Sequence, residues 1–167
     1  MIDIHRLISV WHIEVDYETL PDEVAAIFHP KSTDTPARIL LSETLPLTAA
    51  EVRELLAMGL QFFHITPHSE PHASSVSEHL IFLDKYPSPN HLIARDYTAM
   101  QLIELGELSH LLHVGIDDIF TLAEKFGCRP VLLERRLALE DIRDIWDSKT
   151  KTHRQINLHC APALPSP

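Results

Sequence analysis

The spacing of apolar residues between positions 104 and 146 restricts the fold of this chain more than any other feature. Leucines recur there every three or four residues, which places them on one face of a helix: Leu105, Leu108, Leu111 and Leu112. A break at 113–115 separates this helix from a second one, which begins at a capping aspartate, Asp117 or Asp118, and ends at Gly127. The pattern therefore predicts two helices joined by a tight turn.

The residues that follow the second helix predict a strand and a last helix. Pro130–Leu133 is short, apolar and β-branched at Val131, which is typical of a strand, and residues 134–136 would form its tip. Four apolar residues then recur at helical spacing: Leu139, Ile142, Ile145 and Trp146. Helix, turn, helix, strand and helix is the element order of a small winged helix-turn-helix.

Residues 104–146, about a quarter of the chain, resemble the winged helix-turn-helix DNA-binding domains of the excisionase and MerR type, found in bacteria and phages. The resemblance includes a small residue, Ser109, the turn residue Val114, and the apolar pair Ile119 and Leu122. It continues through the wing and the next helix at Pro130, Val131, Arg135, Arg136, Asp141, Ile142 and Trp146. It implies a DNA-binding regulator of transcription, or of phage or plasmid functions. The implied DNA contacts are Thr121, Lys125, Arg129, Arg135 and Arg136.

The charge of the same region leaves a second interpretation open. Between Asp96 and Asp147 there are 11 Asp and Glu against 5 Lys and Arg, whereas DNA binding draws most of its affinity from Lys and Arg. Asp117 and Asp118 begin the helix that would enter the major groove. The alternative is an acidic adaptor or inhibitor that binds a basic protein surface through these two residues. We prefer a helix cap to a catalytic pair for them, because adjacent helical residues do not face each other.

Composition predicts a cytoplasmic protein that neither spans nor coats a membrane. The formal net charge of −10 disfavours nonspecific adhesion to nucleic acid or anionic membranes. No stretch approaches the roughly 18 apolar residues of a membrane span, and the first 16 residues lack the pattern of a signal peptide. Cys128 and Cys160 form no CxxC pair, so we expect reduced thiols. The sequence is compatible with either a monomer or a homodimer.

The four glycines and the histidines bear on cofactors and metals. Each glycine follows an apolar run and is predicted to end a helix: Gly59, Gly106, Gly115 and Gly127. A glycine-rich phosphate loop is missing from the sequence, so we predict neither a cofactor nor an enzyme. His64, His68 and His72 are spaced as zinc ligands on a helix would be, but two prolines interrupt that helix. A solvated loop is the favoured interpretation, and metal binding is the alternative, as it is for His110 and His113.

The first 95 residues predict strands around one or two helices, which makes the whole chain α+β. The predicted strands are residues 5–16, 24–28, 38–41, 61–65 and 79–83. A capping box, Thr48 to Glu51, begins a helix that we expect to end at Gly59. Eight of the twelve prolines precede residue 95, which suggests a boundary there. The predicted regions are 1–95, 96–147 and a tail at 148–167.

Overall fold

A computed structural model describes residues 3–32, 34–66 and 78–139. These residues form a mixed α+β fold with a helical carboxyl-terminal region, which confirms the predicted fold class. The helices are α1 (Ile4–Val10), α2 (Ala49–Ile65), α3 (Pro89–Leu102), α4 (Leu105–His113), α5 (Ile119–Phe126) and α6 (Pro130–Ala138). The strands are β1 (Glu14–Glu18), β2 (Ala26–His29), β3 (Arg38–Ser42) and β4 (His79–Ile81).

The sheet has the order β1-β3-β2-β4, with β1 parallel to β3 and the other pairs antiparallel. Because successive side chains of a strand alternate between faces, the two central strands, β2 and β3, contribute to two layers. Phe28, Ile39 and Leu41 are buried in the main core with α2. Ile27 and Leu40 point to the other face, where Leu20, Val24 and the partly buried Phe82 cover them. The strands predicted at 24–28, 38–41 and 79–83 are confirmed with small shifts at their ends.

Helix α2 forms the centre of the core and is longer than predicted. Its capping box is present: Thr48 accepts a hydrogen bond from the Glu51 amide, and Glu51 accepts one from the Thr48 amide. The helix then passes through Gly59 and ends at Ile65, so the strand predicted at 61–65 is wrong. A Cβ atom on Gly59 would lie 2.5 Å from Cδ1 of Ile39. This glycine therefore permits close approach of helix and sheet and does not end the helix.

The strand predicted at residues 5–16 is wrong over residues 5–13. Asp3 caps α1 by accepting a hydrogen bond from the Arg6 amide at 3.0 Å, and the buried residues Ile4 and Ile8 lie one turn apart on the same face. The strand begins only at Glu14. An amphipathic helix of two turns and an alternating strand place apolar residues at some of the same positions, so periodicity alone did not separate them.

Helix α3 crosses the predicted domain boundary. Pro89 occupies the first turn of α3, where a missing N–H has no helical partner to lose. The position between residues 95 and 96 lies inside this helix, which packs against both α2 and α6. Both halves of the described chain contribute to one buried cluster. The predicted tail at 148–167 and residues 140–146 of the predicted last helix lie outside the described residues.

The two helices predicted after residue 104 are present as α4 and α5, with Leu108, Leu112 and Leu122 buried. Gly115, with φ 89°, follows α4, and Gly127, with φ 56°, ends α5 in the left-handed conformation. Gly106 lies in the first turn of α4 and ends no helix, contrary to prediction.

The wing strand predicted at Pro130–Leu133 is wrong, because this segment begins α6. Proline is suited to the first turn of a helix, as at Pro89. The buried residues recur at helical spacing: Leu132, Leu133, Arg136 and Leu137. The predicted tip, residues 134–136, therefore lies on a helix, where a single β-branched residue, Val131, is tolerated.

Candidate protein-binding surface

The turn after α4 and the outer side of α5 form the surface on which the sequence placed most binding residues. We call this the α5 surface and define it by seven exposed residues: Val114, Asp117, Asp118, Phe120, Thr121, Glu124 and Lys125. The opposite side of α5 is buried through Leu122, Ala123 and Phe126. Three of the seven residues are acidic and one is basic. The surface therefore carries negative charge around apolar groups.

Asp118 is the N-cap of α5. Its Oδ2 accepts hydrogen bonds from both the amide and the hydroxyl of Thr121, each at 2.7 Å. These hydrogen bonds, the side-chain one first, lower the pKa of the Asp118 carboxyl. The prediction that an aspartate caps this helix is confirmed. Its carboxylate is consequently held at the start of the helix, with Asp117 exposed beside it.

Phe120 is the most exposed large apolar residue of the α5 surface, at 70%. It is followed one turn later by Glu124, while Thr121 is followed one turn later by Lys125. Val114, on the preceding turn, is also exposed. Sequence reasoning missed Phe120, although it lies off the apolar spacing of Ile119, Leu122 and Phe126 and so could have been predicted to face solvent.

Arg135, predicted to contact DNA, forms a bidentate ion pair within the chain. Its Nε and Nη2 donate to the two carboxylate oxygens of Asp96 on α3, at 2.5 and 2.7 Å. The hydrogen bond to Asp96 raises the pKa of the guanidinium. This geometry fixes the fork of Arg135 against α3, so its charge is already compensated.

Arg136, the other predicted wing residue, is 2% exposed. Its Nε donates to the carbonyl oxygen of Ile103 at 3.1 Å, just beyond the carboxyl end of α3. A guanidinium in this position satisfies a carbonyl that the helix end leaves without an intrahelical partner. Arg136 thus joins α6 to α3 and lies away from the surface.

Arg129 is held by a still larger set of partners. It donates to both oxygens of Glu54 at 2.8 and 2.9 Å, to Asp84 at 2.9 Å and to the carbonyl of Leu83 at 2.8 Å. Burial opposes its charge, but the hydrogen bonds and charges of Glu54 and Asp84 outweigh burial and raise the pKa of Arg129. Glu54 itself is 1% exposed on α2. Arg129 therefore links α6 to the centre of the core.

Of the five predicted nucleic-acid contacts, Thr121 and Lys125 lie on the α5 surface and the three arginines pair within the chain. The Thr121 hydroxyl contributes to the Asp118 cap, and Lys125 lies in the last turn of α5. The structure thus brings Thr121, Lys125, Asp117 and Asp118 together. It leaves Lys125 as the basic group among the seven residues of the α5 surface.

The histidines for which metal binding was the alternative interpretation lie on different helices where the structure describes them, His64 on α2 and His110 and His113 on α4. His64 lies beside Trp11, with ring centroids 5.3 Å apart, while His68 and His72 lie outside the described residues. Nδ1 of His113 is 3.1 Å from the Ser109 carbonyl oxygen of its own helix. Within residues 3–32, 34–66 and 78–139, no three His, Cys, Asp or Glu side chains lie close enough to hold a metal ion.

Cys128 is buried next to the end of α5. Burial first, and the charge of Glu54 second, raise the pKa of its thiol to about 12. The thiolate is the reactive form, so this cysteine is suited to packing rather than to nucleophilic chemistry.

Comparisons with known proteins add no relative to this description. No family model, curated protein or solved structure matches the chain. In the described part of the chain, no helix has the length and apolar character needed to cross a membrane.

Proposed function

We propose that this protein is a non-enzymatic adaptor or inhibitor whose α5 surface binds a basic surface of another protein. The observation that carries the proposal is a 70% exposed Phe120 with acidic neighbours on α5, together with the pairing of all three predicted DNA-contacting arginines within the chain. The partner would offer an apolar pocket for Phe120, surrounded by lysines or arginines.

Charge supports a protein partner over nucleic acid. A DNA-binding face gains affinity by neutralising phosphates with Lys and Arg, but Arg129, Arg135 and Arg136 already have carboxylate or carbonyl partners. Freeing Arg136 for a phosphate would leave the Ile103 carbonyl without that donor. DNA-binding regulation, which the resemblance implies, therefore has less support and is treated as an outcome of the test.

Energetics support the role of Phe120 as an anchor. Aromatic residues that enter a pocket on the partner commonly supply a large part of an interface's binding energy, and burying a phenylalanine contributes roughly 1.5–3 kcal/mol. The surrounding carboxylates would mainly increase the association rate and select a basic partner, with an effect that salt screens.

Peptide selection tests the proposal directly, because a random library samples many surface chemistries at once. The full chain, immobilised, is offered a displayed random-peptide library, with the Phe120→Ser variant as a counter-selection decoy. We expect enriched peptides that combine Lys or Arg with an aromatic or aliphatic residue. Their affinity should fall with added salt and fall at least tenfold in Phe120→Ser, about 1.4 kcal/mol.

Two control measurements separate the alternatives. Asp117→Asn with Asp118→Asn should slow association, whereas Asp22→Asn with Asp34→Asn removes the same charge from exposed sites elsewhere and should not. Enrichment of acidic or uncharged peptides would contradict the proposal. Binding of a random-sequence DNA duplex that weakens steeply with salt, and that Lys125→Ala reduces, would favour the DNA-binding function instead.

A further inference from the structure

Strand β1 is an edge of the sheet, because in the sheet that the described residues form it pairs with β3 alone. The amide of Glu14 donates to the carbonyl of Ala37 at 2.9 Å, and the bonds of the parallel pair repeat at every second residue of β1. Val15 and Tyr17 therefore turn their N–H and C=O groups away from β3. We call these outward-facing backbone groups the β1 edge.

The side chains of β1 divide between the two faces of the sheet. Glu14, Asp16 and Glu18 share one face, and all three are exposed. Arg38 on β3 donates to Asp16 at 2.7 Å, and its Nε lies 3.5 Å from a Glu14 oxygen, so one guanidinium faces three carboxylates. Tyr17 lies on the other face and is 60% exposed. The β1 edge therefore combines outward hydrogen-bonding groups with an acidic face and an exposed aromatic ring.

The charge of the acidic face decides which strand the edge can accept. Side chains directly opposite each other on paired strands lie about 4.5–5.5 Å apart, and like charges in those positions repel. A second copy of β1 would set carboxylates against carboxylates, which is one way in which edge strands avoid pairing with copies of themselves. Lysines or arginines at every second position of a strand would instead form opposite-charge pairs with Glu14, Asp16 and Glu18. Because side chains alternate with a period of two, this pattern suits either strand direction.

We propose that the β1 edge binds an extended basic segment of another protein, which adds a strand to the sheet next to β1. The main chain of that segment pairs with the N–H and C=O groups of Val15 and Tyr17, and its alternating Lys or Arg side chains face the three carboxylates of β1. The residues between them are apolar or β-branched and cover the Tyr17 ring. The β1 edge and the α5 surface lie on separate elements, so this site does not depend on the proposed function.

Fluorescence anisotropy of a dye-labelled peptide, Thr-Lys-Val-Lys-Val-Lys-Thr with both ends blocked, tests the site in the full chain. We expect saturable binding that weakens with salt. Tyr17→Pro removes an outward N–H but no hydrogen bond to β3, which edge strands tolerate, and should weaken binding about tenfold or more. Tyr17→Thr loses the same ring but keeps the N–H, and should lose much less affinity. A dimer that Tyr17→Pro dissociates would overturn the proposal in favour of a second copy of the chain.

Modified peptides provide a second measurement that leaves the protein unchanged. N-methylation of the valines and N-methylation of the lysines block opposite sides of the peptide strand, because successive amides of a strand point in opposite directions. One of these two modified peptides should lose binding, and the other should retain it. Equal affinity of the two, whether high or low, would show that the peptide does not pair through its main chain and would overturn the proposal.

Charge variants separate the β1 edge from the other acidic surfaces of the protein. Glu14→Gln with Glu18→Gln should weaken peptide binding about threefold or more at low ionic strength. The control, Asp22→Asn with Asp34→Asn, removes the same charge from exposed sites elsewhere and should leave binding unchanged. Equal effects of the two double variants would assign binding to overall charge and overturn the proposal. Loss of peptide binding in Phe120→Ser would also overturn it, because the peptide would then occupy the α5 surface.

Discussion

At the scale of single residues, three arginines near the carboxyl end of the described chain differ in the environment of their charge. Arg135 is partly exposed and paired with a carboxylate, Arg136 is buried against a carbonyl, and Arg129 is mostly buried among several acceptors. Their contributions to folding should differ accordingly, although each is the same residue type within eight positions.

Arg136→Ala should destabilise the protein more than Arg135→Ala. Removing Arg136 takes the donor from the Ile103 carbonyl, which costs roughly 1–3 kcal/mol for a buried group, with lost packing in addition. The Arg135–Asp96 pair is screened by solvent, and its loss should cost no more than about 1 kcal/mol. Urea unfolding of both variants measures the difference. Equal losses of unfolding free energy in the two variants would contradict the difference between an exposed ion pair at Arg135 and a buried hydrogen bond at Arg136.

Removing one partner of the Glu54–Arg129 pair should lower the free energy of unfolding strongly, whereas replacing both residues with apolar ones should lower it little. Arg129→Met leaves the Glu54 carboxylate without its main buried cation, so we expect a loss of about 3–5 kcal/mol. Glu54→Leu with Arg129→Met removes both charges and should recover most of that loss. The free energies of unfolding of the wild type, the two single variants and the double variant form a double-mutant cycle. If the two single losses simply add in the double variant, the two residues are not coupled and the prediction is contradicted.

Acidification should unfold the protein partly through His79. Its ring is stacked on Phe62 with centroids 4.5 Å apart, and burial first, with the charge of His91 second, lowers its pKa. The folded state therefore prefers neutral His79, and the resulting stability is present above the unfolded pKa of about 6.5 and is lost as pH falls below it. His79→Gln should flatten the fall in unfolding free energy between about pH 7.5 and pH 5.

The matched control for this pH effect is His5→Gln, which removes an exposed histidine from α1. Urea midpoints of the three proteins at several pH values provide the comparison. If His5→Gln alters the wild-type pH profile as much as His79→Gln does, the effect comes from overall charge and not from the burial of His79.

At the scale of helices and strands, local chemistry was predictable and long-range packing was not. The Thr48–Glu51 box, the Asp118 cap and the Gly127 end each depend on residues within one turn, and all three are confirmed. The wing was wrong because an apolar run of four residues fits a strand or a helix until its neighbours are known. Gly59 was misread because its role depends on Ile39, twenty positions earlier and on another element.

The same limit applied to the candidate surface. Charge and position identified Asp117, Asp118, Thr121 and Lys125, which the structure places together. Nothing local indicated that Arg129 would meet Glu54, because the two residues are 75 positions apart. A sequence does not show whether the partner of a basic side chain is a phosphate or a buried carboxylate. The missing information was the packing of α6 on α3 and α5, which brings Arg129 to α2.

Gly59→Ala should destabilise the protein despite the higher helix propensity of alanine. The new Cβ would lie 2.5 Å from Cδ1 and 2.7 Å from Cγ1 of Ile39, and overpacking of this kind costs about 1–3 kcal/mol. The propensity gain offsets at most about 1 kcal/mol. Ile39→Val removes the nearest atom and should partly rescue Gly59→Ala. Thermal unfolding of the single and double variants measures this, and a more stable Gly59→Ala protein would contradict the close approach.

At the scale of the whole molecule, the two halves of the described chain jointly build the main core. Arg53 on α2 donates to the carbonyl oxygens of Phe126 and Gly127, and Arg129 reaches Glu54 on the same helix. The strands and α2 come from the first half, and α4 to α6 come from the second. Helix α3 joins them without a linker.

Unfolding should therefore be a single cooperative transition. We expect urea curves from far-UV circular dichroism and from tryptophan fluorescence to coincide, as two-state behaviour requires. A fragment of residues 1–95 should not fold alone, because it would lose the second half of α3 and so expose part of the face of α2 that α3 covers. Two separated transitions, or a folded fragment with dispersed amide resonances, would show instead that the first 95 residues are an independent domain.

The buried Glu54–Arg129 pair also sets the order of events during synthesis. A ribosome adds about 5–20 residues per second, so the 75 positions between these partners correspond to about 4–15 s of translation. Throughout that interval the Glu54 carboxylate on α2 has no arginine partner, and burying it would carry a large desolvation cost. The sheet and α2 can therefore close into their final packing only after residue 129 has left the exit tunnel. A ribosome stalled before the codon for residue 129 would present a nascent chain with exposed apolar residues, which chaperones and proteases recognise.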